Sequence, residues 1–86
     1  MAINQSEIEV GYLYRTSTNQ ERLVLKIDSD GAIIYSSRGG NVQNPFDHKV
    51  SSKPERFANA CDKKVKKYDE DEFLAIKKRF EDRGLI

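Results

Sequence analysis

The single cysteine, Cys61, and the single histidine, His48, are the residues of this 86-residue chain best suited to covalent chemistry. A thiol beside an imidazole can ionise and attack as a nucleophile. The surroundings of Cys61 argue against that use. It stands four residues from both Phe57 and Val65, in an apolar stripe whose burial would disfavour a thiolate. A structural zinc site takes about four cysteine or histidine ligands, and this chain has one of each, so no metal and no cofactor is expected.

The 14 carboxylates fall where simpler roles account for them. Asp28 and Asp30 belong to a turn, Asp69 to Glu72 open a helix, and Glu7 and Glu9 alternate with Ile8 and Val10 along a strand. Gly39 and Gly40 lack the lysine and following helix of a phosphate-binding loop, and read as flexibility alone. These residues do not make an enzyme's constellation, and no catalytic activity is expected.

Two groups could bind rather than react. The block Lys63-Lys64-Val65-Lys66-Lys67 could neutralise phosphates and so make binding salt-dependent. The acidic run that follows it would repel a phosphate chain, and cations ending one helix before anions opening the next complement both helix dipoles, by about 0.3–1 kcal/mol per charge. The capping role is the preferred reading. A net charge of +1 also removes the simplest argument for a nucleic-acid binder. Tyr12, Tyr14, Tyr35 and Phe46 could form an aromatic platform for bases or a proline-rich peptide. Because Tyr12 and Tyr14 share the face opposite Leu13, they either cover core or line an exposed surface, and core or helix-covered packing is preferred.

The elements that must position these residues are legible from period and punctuation. Arg22 to Ser37 reads as two strands around the turn Ser29-Asp30-Gly31, a pair of strands joined by a common hairpin dipeptide. Leu23, Leu25 and Ile27 share one face of the first of these strands. Upstream, Ile8 and Val10, a bend at Gly11 and the run Tyr12-Leu13-Tyr14 predict one bent strand, with a polar link from Thr16 to Glu21. Arg38 to Pro45 is a long loop, and Phe46, His48 and Val50 resume the period of a strand.

From Ser52 the period becomes helical. Ser52 and Glu55 have the spacing of a capping box around Pro54, and Phe57, Cys61 and Val65 continue as a stripe, predicting a helix over about 53–67. A second helix, about 70–83, starts after Asp69 and carries Phe73, Ile76 and Phe80, with Gly84 placed to end it. The expectation is one α+β domain over 1–86: a strongly bent antiparallel sheet or small barrel of four to five strands, about 7–51, followed by two C-terminal helices.

The phrase Val10-Gly11-Tyr12-Leu13-Tyr14-Arg15, the Asp30-Gly31 hairpin and a closing helix with Phe57 resemble small single-domain proteins of bacteria, phages and mobile elements. Many of these look like Src-homology-3-like barrels. The resemblance covers roughly residues 8 to 60 and implies a binding module that acts on another protein or within an assembly. The second helix departs from the usual small barrel.

The expected function is therefore a small cytoplasmic interaction module for a protein partner, with Arg15, Arg38, Asn41, Phe46 and Lys49 as candidate contacts. The alternative is an accessory nucleic-acid binder using Arg15, Arg38, Lys49 and the Lys63 to Lys67 block. The first residues have neither the basic nor the apolar region of a secretory signal, and the longest apolar run, Ala32 to Tyr35, is far short of the roughly 20 residues of a membrane span. Phe73, Ile76 and Phe80, with Leu85 and Ile86 beyond, leave two outcomes open: a homodimer through that helix, or a helix folded back on its own sheet.

Overall fold

A computed structural model describes residues 2–86 of the chain. It is an α+β fold built on an open antiparallel sheet of five strands. In chain order these are β1 (Tyr12–Thr16), β2 (Gln20–Ile27), β3 (Ile33–Gly39) and β4 (Val50–Ser52), then helix α1 (Pro54–Ala60), β5 (Cys61–Lys67) and helix α2 (Glu70–Asp82). Their spatial order is β4-β3-β2-β1-β5, so β4 and β5 are the edges and the sheet does not close into a barrel.

The β2–β3 hairpin forms where the Asp30-Gly31 pair places it. Asp28 and Gly31 close the turn through Asp28 N–H to Ala32 O (2.9 Å) and Gly31 N–H to Asp28 O (2.8 Å). The Asp30 carboxylate accepts from Ala32 N–H at 3.1 Å. Gly31 holds φ +89°, a region that a β-branched residue enters only with strain. Gly31→Val is therefore expected to cost about 1 kcal/mol or more. A urea midpoint equal to that of the native chain would remove the turn's role.

Both faces of this sheet are covered. On one, Tyr14, Val24, Ile33, Tyr35 and Cys61 pack with Phe57 and Ala58 of α1 and with Ile8. On the other, Leu13, Leu23 and Leu25 pack with Ile76 and Phe80 of α2 and with Phe46. Alternation along β1 and β2 makes this possible, since successive side chains serve opposite layers. A bulge between Val24 and Lys26 breaks the pattern and sets Ile27 opposite Ile33, where it is 39% exposed instead of joining Leu23 and Leu25.

Five expectations are corrected. The segment Ile8 to Val10 is not strand: Gln5–Glu7 form a 3-10 turn, and the Tyr14 hydroxyl donates to Glu7 O and accepts from Glu9 N–H, both at 2.7 Å. Those bonds satisfy backbone groups that a strand would have paired. Phe46 and His48 lie outside β4, which is only Val50–Ser52; Phe46 takes φ +51° and turns into the core. The predicted helix over 53–67 stops at Ala60, and Cys61–Lys67 instead pairs antiparallel with β1. The capping box does not form either, because Lys53 takes the N-cap position and the Ser52 hydroxyl turns to the Lys53 carbonyl. Sheet residues thus extend to Lys67, well past the expected 51.

Helix α2 follows its sequence signals. The Asp69 carboxylate accepts from Glu72 N–H at 3.1 Å, and the C-terminus closes with Gly84 N–H to Glu81 O (3.0 Å) and Leu85 N–H to Phe80 O (2.9 Å). These are the paired bonds of a Schellman end, and Leu85 packs back on the same apolar cluster as Phe80. Helix α2 lies against its own sheet, with Ile76 8% and Phe80 1% exposed and Phe73 partly buried beside them.

Candidate functional site

The long loop after β3 borders a concave surface. Residues 41–44 stand over the end of the sheet's α1 face that α1 leaves uncovered, enclosing a cleft of about 440 Å³. Gln20 and Arg22 of β2 with Tyr35 and Ser37 of β3 line its sheet side, and Asn41 to Asn44 and His48 line its loop side. The register explains the floor, since Arg22 sits opposite Ser37 and Gln20 opposite Gly39. Side chains directly opposite one another in an antiparallel pair share a face.

Arg22 is the most organised group in the cleft. Its guanidinium lies 4.7 Å from the centre of the Tyr35 ring and 5.8 Å from that of Phe57. Its Nε donates to the Gln20 side-chain oxygen at 2.9 Å. Stacking on an aromatic face holds the plane of an arginine and offsets part of the cost of burying its charge.

The loop is anchored from the sheet's other face, so its cleft-facing part has a fixed frame. Phe46 N–H donates to Ser37 O (2.9 Å), and the Phe46 ring meets Tyr68 edge-on at 5.7 Å. Arg79 donates to Phe46 O, and Arg83 to Asp47 O at 3.0 Å. Where the loop begins, a Cβ on Gly39 would stand 3.1 Å from the Asn19 carbonyl, at φ +77°. That glycine is required by a close backbone approach, so the reading as flexibility alone is corrected.

The five candidate contacts are dispersed. Asn41 lines the cleft, and Lys49 is exposed beyond it. Phe46 is 5% exposed and belongs to the core beneath α2. Arg15 and Arg38 share Glu21, at 3.4 and 2.9 Å, and Arg38 also reaches the Tyr68 hydroxyl. Burial alone would raise the Glu21 carboxyl, but hydrogen bonds and charge from Arg38 and Arg15 outweigh it and hold the group below its ordinary value. A depressed carboxylate contributes stability that is present above its unfolded pKa and lost as pH falls through the folded one. Glu21→Gln is thus expected to narrow the difference in urea midpoint between about pH 7 and about pH 3. An unchanged difference would show that the triad contributes nothing to acid sensitivity.

Cys61 and His48 occupy different environments. Cys61 is fully buried under α1, and burial pushes its thiol up to about 11 despite the opposing charge of Arg22. His48 is exposed at the cleft, its carbonyl accepting from the Ser36 hydroxyl at 2.7 Å. Thiol reagents are expected to label Cys61 slowly in the native protein and quickly in urea. Native labelling as fast as that of a free thiol would take Cys61 out of the core.

The lysine block is now part of an edge strand. Lys63, Lys66 and Lys67 are exposed, and Lys64 pairs with Glu9 over the Tyr12 ring. The β1–β5 register is interrupted twice. Lysines and bulges on an edge keep other chains from pairing with it, so this replaces the helix-capping role. Sequence reasoning missed Arg22 and its neighbours as a site. The signal was Gln20 and Arg22 preceding Val24 at alternate positions, polar residues on the face of β2 that Val24 continues as core.

Among the described residues there is no group of three or more His, Cys, Asp or Glu that could hold a metal ion, and no helix long and apolar enough to cross a membrane. No protein family matches the chain, and neither a curated protein nor a solved structure is significantly similar to it.

Proposed function

We propose that this protein is a binding module that holds a segment of a protein partner in the cleft between β2, β3 and the 41–44 loop. The observation that carries the reading is that a long, amide-rich loop forms one wall of a concave surface while sheet strands form the other. A rigid scaffold with a polar loop over it is the usual construction of a recognition surface. The amides of Asn41, Gln43 and Asn44 offer both donors and acceptors, which suits the alternating groups of a peptide backbone. A reducing, cytoplasmic setting belongs to the same proposal and is supported by the buried free thiol of Cys61.

Nucleic-acid binding has one observation in its favour, the exposed Lys63, Lys66 and Lys67 on β5. Their edge position already accounts for them, and the cleft lies on the far side of the sheet, toward β4. A random peptide library selected on the full chain separates the two. Enriched peptides are expected to lose at least about tenfold in affinity on Ser37→Tyr, which fills the cleft, and to keep it when the three lysines become glutamine. Peptides indifferent to Ser37→Tyr would overturn the cleft. Tight DNA or RNA binding with a log–log salt slope near −3, roughly what three phosphate contacts require, would move the function to β5.

A further inference from the structure

We propose that the cleft takes an acidic segment of its partner, with a Glu or Asp carboxylate received by Arg22; the inference rests on the binding-module reading above and names its ligand chemistry. Although the chain carries 14 carboxylates, none among the described residues lines the cleft. Two arginines of the chain are half-buried, Arg22 and Arg38. Arg38 has Glu21 at 2.9 Å, whereas Arg22 has no carboxylate partner among the described residues. Its Nε is committed to Gln20, its face to Tyr35, and the guanidinium also hydrogen-bonds the Cys61 thiol; these neutral partners orient it while leaving its charge unmatched by any anion among the described residues.

A guanidinium in that state is prepared for a carboxylate. Its planar fork can donate two parallel hydrogen bonds, and charge-assisted bonds of this kind are roughly twice as strong as neutral ones. Ser37 lies directly across from Arg22, and the Asn41 and Asn44 amides stand on the opposite wall, so hydroxyl and amide donors surround the same space. Preorganisation by Gln20 and Tyr35 lowers the ordering cost that a free arginine would carry. The occupant is a peptide carboxylate rather than a phosphate chain, because the cleft holds one arginine and no lysine among the described residues. A nucleic-acid strand needs a succession of cations, and the exposed lysines lie on the other edge of the sheet.

Capped hexa-glutamate and hexa-glutamine peptides, titrated into the isotope-labelled full chain and followed by NMR, test this. Hexa-glutamate is expected to shift the Arg22 Nε–H and the Asn41 and Asn44 side-chain amides saturably, and to bind at least about tenfold more tightly than hexa-glutamine. Arg22→Gln should remove that preference, and Arg22→Lys should retain part of it. Equal binding of both peptides in the cleft, with the Arg22 resonance unmoved, would overturn the acidic preference and leave the module reading standing. Hexa-glutamate shifts confined to Lys63, Lys66 and Lys67, or displacement of the peptide from the cleft by oligothymidine, would also overturn it. If Arg22→Gln does not fold, the Arg22 Nε–H of the native chain still decides. If library-selected peptides also bypass the cleft, the module reading falls with the inference.

Discussion

A chain carrying Phe80→Glu is expected to be unfolded at neutral pH. Phe80 is 1% exposed, in the layer formed by α2 with Leu13, Leu23, Leu25 and Phe46. Removing a buried aromatic ring costs about 3–5 kcal/mol, and leaving an unpaired carboxylate among apolar side chains costs several more. A domain of this length has about 4–13 kcal/mol in all, so the two costs together remove most or all of it. Leu74, on the same helix but 51% exposed, is the control: Leu74→Glu should fall within about 0.5 kcal/mol of the native chain. Circular dichroism with sedimentation reads both. A folded Phe80→Glu chain with unchanged melting would show that α2 does not sit on its own sheet.

Phe57→Ala is the second large effect, expected to cost about 3–5 kcal/mol by urea denaturation. The Phe57 ring meets Tyr14 at 5.4 Å and 82° and Tyr35 at 5.1 Å and 64°, both edge-on. Such pairs contribute about 0.5–1.5 kcal/mol beyond area burial, so truncation removes more than one side chain's worth of contact. The effect also reaches the cleft. Tyr35 is the surface on which Arg22 stacks, and with Phe57 gone that ring loses its support from beneath. A cost below about 1 kcal/mol would mean that α1 is not the cover of this face.

The parts of the fold legible in the sequence were those determined locally. Gly31 needs positive φ wherever the hairpin sits, and Asp69 caps its helix with its own carboxylate, so neither depends on distant residues. Residues 61–67 are the opposite case. Phe57, Cys61 and Val65 have helical spacing, and lysine is a good helix former, yet β1 has a free edge that Cys61–Lys67 completes. In the strand Cys61 joins the α1 layer and Val65 the α2 layer, so one sequence stripe is divided between two faces. Tertiary pairing overrode local preference, and no periodicity within the segment could reveal it.

The cleft was legible only in part. The loop after Arg38 was readable as long and irregular, and Asn41 does line the cleft. What it encloses depends on Phe46 crossing to the α2 face, an aromatic residue at φ +51° whose carbonyl is held by Arg79 of α2, while Arg83 just past that helix holds the neighbouring Asp47, both from more than thirty positions away. The same long-range arrangement leaves Arg22 without a carboxylate among the described residues while giving Glu21 two arginines. Composition does not register such a distribution of charge.

The most direct test of the binding account is an amide and side-chain shift map of the full chain with a peptide selected from a random library. The largest changes are expected on Gln20, Arg22, Ser37, Asn41 and Asn44, around one cleft, and are expected to disappear in Ser37→Tyr. Changes centred on Lys63, Lys66 and Lys67 instead, with the cleft resonances unmoved at saturation, would contradict it.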